Sequence, residues 1–321
     1  MSRPFVTIVL SLALAACSKG PLLRDPDSVV LLYRDSQTAS AVKGLMDPVH
    51  PNLYHGAEKN IGGGFIEEVG DSARLEVYLP DRPNGKAIVV CPGGGYSSLN
   101  ALRTGKAAGS WLSSKGFAAV ILCYRMPCGD MNLPVRDLTN AMLYCRSMAS
   151  EWGVSKIGVA GGSAGGHLAA LACSRPETPD ARPDFAVLLY PLTTLMMPQT
   201  DEGILLRMFG HLPTDEERLS LSVETLASGD MPPVFIAANR HDFILPQDHF
   251  LRYYDSLVTA GAEVEMHLYS EGYHGWGFLN GEMCRELNDS CLPEDETPYE
   301  DQMGSSRVVF DEDLISFLKR L

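Results

Sequence analysis

Outside its first residues, the chain has no apolar run that approaches the roughly 20 residues needed to cross a bilayer. Basic residues are scarce: 26 Lys and Arg stand against 40 Asp and Glu, a formal net charge of −14. Without clustered Lys and Arg there is nothing to neutralise phosphates, so nucleic acid is excluded as the expected partner. Internal repeats and low-complexity segments are missing, and with 45% hydrophobic and 21% charged residues the composition is not that of a disordered chain. There is no CxxC pair and no His/Cys cluster of zinc spacing. The Gly-Lys-Ser/Thr of a P-loop and the spacing of a dinucleotide fingerprint are also missing. No metal and no cofactor is therefore expected. The 321 residues suffice for one large α/β domain or two small ones.

What is present begins at the N-terminus. Arg3 is followed by a short apolar run, Phe5 to Ala16, that ends in small residues, the pattern of an export signal. Leu14-Ala15-Ala16-Cys17 resembles a bacterial lipoprotein box, with Cys17 as the acylated first residue once 1–16 are removed. The rivals are plain secretion after Ala13-Leu14-Ala15 and an uncleaved anchor. The expectation is an exported protein of the cell envelope, on the periplasmic or outer-membrane face, touching membrane only through a lipid at Cys17. Otherwise it is secreted. Residues 17–26 read as a tether and 27–321 as one domain. Of the eight cysteines, Cys91, Cys123 and Cys173 fall in apolar segments and Cys145 in a helical pattern. Cys284 and Cys291 fall in a polar stretch, either bridged in an oxidising compartment or free.

The body alternates two periodicities. Nearly all-apolar runs at Arg74–Leu79, Ala87–Cys91, Phe117–Tyr124, Lys156–Ala160, Asp184–Tyr190, Pro233–Ala238 and Glu263–Tyr269 suit strands buried on both faces. Helical spacing fills the intervals, at Val135–Trp152, Ala164–Cys173 and Asp248–Ala260. The alternation predicts an α/β fold, a mostly parallel twisted sheet with helices on both faces. Ligands in such sheets sit at the carboxyl ends of the strands.

Four strand ends carry chemistry. Lys156–Ala160 runs into Gly161-Gly162-Ser163-Ala164-Gly165, a Gly-x-Ser-x-Gly between a strand and an Ala/Leu-rich helix. That is a nucleophile elbow: a sharp turn exposes the Ser hydroxyl, and small residues two positions to either side let strand and helix approach. Ala87–Cys91 is followed by Pro92-Gly93-Gly94-Gly95-Tyr96. Gly94 and Gly95, with Ala164, are the candidate oxyanion donors. Pro233–Ala238 leads to Asp242, the expected acid, and Glu263–Tyr269 leads to His274 in a Gly-flanked loop, the expected base. Asp248 is the rival acid, read as a helix N-cap. The remaining histidines have plainer readings. His167 packs beneath the elbow, His241 lines the site, His267 alternates out of a strand, and His211 and His249 sit at the surface or pocket rim. His50 and His55 fall in an unassigned loop. Gly62-Gly63-Gly64 follows no apolar strand and reads as a loop.

Together, Pro92-Gly-Gly-Gly-Tyr96, Tyr124-Arg125, Gly-Ser163-Ala-Gly-Gly-His-Leu-Ala, Tyr190-Pro191, Asp242 with Pro246, and Gly272-x-His274-Gly-x-Gly277 resemble bacterial α/β-hydrolases of the acetyl-xylan-esterase-like or feruloyl-esterase-like group over about residues 65–278. The resemblance implies a Ser163–His274–Asp242 triad that hydrolyses acyl, foremost acetyl, esters of a small-molecule or oligosaccharide substrate without a cofactor. Other readings on this fold are a feruloyl or other carboxylesterase, a serine peptidase, and a non-catalytic glycan-binding lipoprotein, which would have no use for a complete triad. The oligomeric state stays open. Three departures stand out. Gly162 replaces a bulky residue before the nucleophile, which predicts looser packing at the elbow. Leu99–Lys106 lacks an acidic residue. Residues 279–307 look like an acidic loop insertion, either a solvated surface or part of the pocket rim.

Overall fold

The computed structural model describes residues 22–33, 59–62, 65–67, 69, 73–198, 200–291 and 298–321. The lipidation candidate Cys17, the signal segment, His50 and His55 lie outside the described residues.

Eleven strands form in chain order among these residues: β1 Ser28–Leu31, β2 Lys59–Gly62, β3 Phe65–Glu67, β4 Arg74–Tyr78, β5 Lys86–Cys91, β6 Leu99–Asn100, β7 Ala118–Cys123, β8 Lys156–Gly162, β9 Ala186–Leu189, β10 Val234–Asn239 and β11 Val264–Tyr269. Eight of them make one sheet in the order β1-β4-β7-β5-β8-β9-β10-β11. The pairs β1–β4 and β4–β7 are antiparallel and the rest parallel. The burial follows from sequence. β7 (AAVILC) and β9 (AVLL) are buried at every residue, as strands covered on both faces must be, whereas edge strand β1 is mostly exposed. The α-helices are α1 Ala107–Ser114, α2 Asn132–Met148, α3 Ala164–Ser174, α4 Glu202–Phe209, α5 Asp215–Leu221, α6 Asp248–Ala260, α7 Gly281–Cys291 and α8 Ser306–Arg320. They cover a single apolar cluster that runs from Leu23 to Leu318.

Register positions the site. Cys91 of β5 is level with Gly161 of β8, so the Gly-rich loop after β5 emerges beside the elbow. Gly162 is level with Leu189 of β9, and Asn239 of β10 with Tyr269 of β11, so the loops bearing Tyr190, Asp242 and His274 leave the same edge.

Every strand expected in the large sheet forms within two residues of its expected ends, and α2 is shifted toward the N-terminus to include Pro134 in its first turn, where a missing N–H costs nothing. Four differences are findings. First, the end of the expected tether is packed: Leu23 is buried, and Arg24 donates to Ser113 Oγ and the Leu79 carbonyl while pairing with Asp27. Second, Gly62 ends a strand, because β2, β3 and β6 form a small antiparallel sheet. Third, residues 281–291 of the expected acidic loop form α7. Fourth, this helix rules out the Cys284–Cys291 bridge. Seven residues of helix separate the two Cα atoms by about 10 Å, beyond the roughly 7 Å that a disulfide spans. Cys284 is buried as a free thiol, and the side chain of Cys291 lies outside the described residues.

Candidate active site

Ser163 sits between β8 and α3 with φ 55° and ψ −121°, a conformation that L-residues rarely adopt. The surroundings hold it there. Its N–H donates to the Leu189 carbonyl at 3.0 Å, and its own carbonyl accepts from His167 and Leu192 N–H, both at 3.1 Å. Gly165 explains why the turn tolerates nothing larger at this point: a Cβ there would stand 2.0 Å from the Cys91 carbonyl oxygen. Gly162 does not loosen the elbow as expected. The Tyr190 ring occupies the space, with its hydroxyl 2.8 Å from where a Gly162 Cβ would be.

His274 and Asp242 meet Ser163 from the neighbouring strand ends. His274 Nε2 lies 2.9 Å from Ser163 Oγ, and Nδ1 lies 2.7 Å from Asp242 Oδ2. A carboxylate only accepts, so Nδ1 donates to Asp242 and Nε2 is left free to accept the Ser163 proton. Asp242 is oriented by two main-chain donors, Ile244 and Leu245 N–H, each 2.9 Å from Oδ1. Asp248 stays apart as part of the first turn of α6. It is not the cap that was expected, because Gln247 holds that position.

The Gly-rich loop is clamped through its carbonyls. Gly93 O accepts from Asn100 N–H at 2.7 Å, Gly94 O accepts from Ser97 and Ser98 N–H at 3.1 and 3.2 Å, and Gly95 O accepts from Arg207 Nε at 2.8 Å. In a trans peptide the next N–H points opposite its carbonyl. Clamping Gly93 O and Gly94 O therefore turns the N–H groups of Gly94 and Gly95 away from the frame, and both residues line the cavity over Ser163. The Gly93 N–H is already bonded to Thr104 Oγ1 at 3.3 Å, whereas those of Gly94, Gly95 and Ala164 donate to no other described residue. Free donors at a helix N-terminus suit a developing oxyanion.

This cavity measures about 240 Å³ and is walled by Phe65, Tyr190, Leu192, Ile204, Ile244 and Leu245. The segment that lacks an acidic residue contributes Asn100 and Thr104 instead. Sequence reasoning missed several of the supports. Tyr190 packs its ring 4.8 Å from that of His274 and accepts from Gly277 N–H at 3.0 Å. Asn239 Nδ2 donates to the Glu271 carbonyl at the base of the His274 loop. Tyr124 OH donates to the Pro92 carbonyl at 2.7 Å, and Arg125 is buried against Asp137 at 2.5 Å. Of these, only Tyr190-Pro191 and Tyr124-Arg125 stand out in the sequence, as parts of the family resemblance.

The other histidines are sorted by partners. His167 lies fully buried beneath the elbow, as expected, between Tyr96 OH at Nδ1 and the Leu221 carbonyl at Nε2, both at 2.7 Å. The carbonyl can only accept, so Nε2 carries the proton and Nδ1 accepts from Tyr96, which ties the Gly-rich loop to α3. Burial pulls the pKa of His167 down to about 4. His249 is not at the rim as expected. It is buried on the inner face of α6 beside Thr193 and Thr194, and burial lowers its pKa to about 4 as well. His241 is exposed on a neighbouring cavity, His211 pairs with Glu217, and His267 lies between Glu265 and Asp313.

A mostly parallel eight-stranded sheet with Ser, Asp and His converging in that chain order at its carboxyl edge is the arrangement of an α/β hydrolase. A family model described as alpha/beta hydrolase fold matches residues 88–278, and the chain belongs to that family. It is 32% identical over 212 residues to an acetylxylan esterase of Xylanibacter ruminicola, which covers 64% of this chain and 44% of that protein. It is 28% identical over 248 residues to endo-1,4-beta-xylanase B of Butyrivibrio fibrisolvens, covering 72% of this chain and 38% of that protein. The chain thus spans less than half the length of these curated relatives. A crystal structure of an acetyl ester-xyloside bifunctional hydrolase from Caldicellulosiruptor lactoaceticus superimposes with a TM-score of 0.64 at 24% identity, over 91% of this chain and 98% of that one.

Proposed function

We propose that this protein is a serine esterase that removes short acyl groups, foremost acetyl, from carbohydrate. The observation that carries the reading is the Ser163–His274–Asp242 relay, with contacts of 2.9 and 2.7 Å, facing the free N–H groups of the Gly94–Gly95 loop and Ala164. In this mechanism Ser163 Oγ attacks the ester carbonyl while His274 Nε2 takes its proton, and Asp242 stabilises the imidazolium. The tetrahedral oxyanion is held by the N–H groups of Ala164 and of Gly94 or Gly95. His274 then protonates the leaving sugar oxygen, and the acyl-enzyme is hydrolysed by water that His274 deprotonates. The small apolar cavity of about 240 Å³ favours a short acyl chain, since it lies below the usual span for larger ligands. The names of the relatives, an acetylxylan esterase and a xylanase, point to xylan-type esters. The signal-like segment and the Leu14–Cys17 pattern support export and lipid anchoring at Cys17.

The test is acetate release from acetylated xylo-oligosaccharides, with p-nitrophenyl acetate in parallel, for the wild type and Ser163→Ala. The wild type is expected to turn over both substrates, and Ser163→Ala to lose about 10⁴-fold or more in kcat while staying folded. Undiminished turnover by Ser163→Ala would overturn the mechanism. Turnover of p-nitrophenyl acetate alone would move the substrate class away from acetylated glycan.

A further inference from the structure

A second, larger cavity of about 760 Å³ lies on the other side of the loop that carries His274. The Gly272–Gly275 run separates the two spaces: Gly272 and Tyr273 line the large cavity, while His274 and Gly275 line the small one. The linings differ in kind. The small cavity is apolar apart from its reacting groups, whereas the large one brings together Arg103, His241, Tyr273, Tyr299, Glu300 and Gln302.

Several of these groups are presented with bonding capacity to spare. Arg103 is half-buried, and burial draws its pKa below the ordinary arginine value. Among the described residues its guanidinium meets only the Glu300 carbonyl, at 3.1 Å, because nearby Asp301 is taken by Arg307 at 3.0 Å. A desolvated cation with one neutral acceptor gains from further hydroxyl acceptors. Tyr273 is 59% exposed although it adjoins the base, and its ring meets Phe243, itself 73% exposed, edge to face at 6.2 Å. The backbone of Tyr299 is pinned on both sides by Asn288, which accepts from its N–H at 2.8 Å and donates to its carbonyl at 3.0 Å. The cavity wall is therefore fixed by residues other than those that face the space.

We propose that this cavity is the glycan subsite of the enzyme, binding the neutral sugar units that flank the acylated one. Resting on the esterase reading above, the proposal assigns the acyl group to the small cavity and the alcohol side to the large one. Its chemistry suits a neutral oligosaccharide. A pyranose C–H face packs on the exposed Tyr273 ring, and sugar hydroxyls exchange hydrogen bonds with the planar guanidinium, carboxylate and amide groups. The volume falls within the roughly 300–1,000 Å³ of small-molecule sites. The position follows from the mechanism: His274 protonates the leaving sugar oxygen, so the sugar must lie on the His274 side of the scissile bond, which is where Tyr273 stands.

The test uses the full chain and unacetylated xylotetraose, a ligand that is not turned over, titrated calorimetrically into the wild type, Tyr273→Ala and Arg103→Gln. Alongside, kcat/KM is measured on acetylated xylotetraose and on p-nitrophenyl acetate. The wild type is expected to bind xylotetraose. Each variant that melts like the wild type is expected to lose at least about fivefold in that affinity, and its kcat/KM ratio of sugar ester to aryl ester is expected to fall about tenfold. Wild-type affinity and an unchanged ratio in both variants, with acetylated xylotetraose still cleaved, would overturn the subsite and leave the esterase reading standing. Should the wild type cleave only the aryl ester and bind no xylotetraose, the carbohydrate reading itself would fail and the subsite with it. If Arg103→Gln fails to fold, Tyr273→Ala decides the matter alone, because its side chain is largely in solvent.

Discussion

The two halves of the candidate active site are built differently. The elbow half is held together by its own chain: β8, Ser163 and α3 are consecutive, and the turn is locked by main-chain bonds to Leu189 and Leu192 and by Gly165, where a Cβ would stand 2.0 Å from a main-chain oxygen. The base half is held by side chains from far away. The His274 loop is braced by Asn239 at Glu271, by Tyr190 at Gly277, and by Arg307 at the Gly277 and Leu279 carbonyls at 2.9 and 3.2 Å. One half is made rigid by close backbone packing and the other by bonds that single substitutions can remove. The nucleophile must keep a strained conformation, and backbone packing holds strain better than side-chain bonds do. The base has only to be aimed, and a few donors and acceptors suffice for that.

This contrast can be broken or sharpened by experiment. Gly165→Ala should have the largest effect. Its Cβ would fall 2.0 Å from Cys91 O and 2.6 Å from Pro92 O, both main-chain atoms that cannot turn aside. A loss of more than about 4 kcal/mol, seen as loss of soluble protein or a collapsed melting temperature, is expected. A stable, active Gly165→Ala protein would refute the account of the elbow.

Acid comes next, and it too should strike the elbow half. His167 has its pKa lowered to about 4 by burial, against 6.5 for an ordinary histidine. The unfolded chain takes up this proton near pH 6.5 while the folded one resists until about pH 4. Stability is therefore full above pH 6.5 and declines as pH falls toward 4, by roughly 3 kcal/mol at the limit for this one group. Buried His249 adds a decline of the same sign. Urea midpoints at pH 7 and pH 4.5 measure the slope, and in His167→Gln the slope should be shallower.

On the base half, Arg307→Ala removes donors to two carbonyls and leaves the Asp301 carboxylate without its cation. It should cost about 2 kcal/mol. It should also lower kcat about tenfold with little change in KM, as the aim of His274 loosens. A drop in thermal stability without a drop in kcat would mean that this brace serves only the fold. The smallest effect is expected at Gly281, in the first turn of α7, where a Cβ would meet nothing within 4 Å. Gly281→Ala should shift stability by less than about 1 kcal/mol, in the stabilising direction, and a thermal melt checks this.

The two halves were also unequally legible. The elbow could be read because its requirements are local: an apolar strand, glycines at fixed offsets and an Ala-rich helix lie within twenty residues of one another. His274 and Asp242 could be placed because each follows its strand directly. Their supports could not be read this way. Nothing near Arg207 says that it clamps Gly95, and nothing near Phe65 says that a small sheet will carry it to the cavity wall. The reading of Gly162 as a weakness failed because the residue that fills its space, Tyr190, comes from the next strand. His249 was legible in principle, since it shares the apolar spacing of Phe250, Tyr253 and Leu257 on α6. The 279–307 stretch looked like a loop because its acidic residues hide the inward stripe of α7, where Met283 and Cys284 are buried.

The sequence alone determined the strand–helix alternation, the chain order of Ser163, Asp242 and His274, and the turn that exposes the nucleophile. All of these are written in periodicity and in offsets of a few residues, because backbone geometry and side-chain burial act over that range. Only the tertiary structure decided that Arg207 clamps the oxyanion loop, which residues brace the base, and that two cavities of different character flank the His274 loop. Those features depend on strand register and on contacts between residues 30 to more than 100 positions apart. A short sequence pattern has no means of recording which distant partner will arrive.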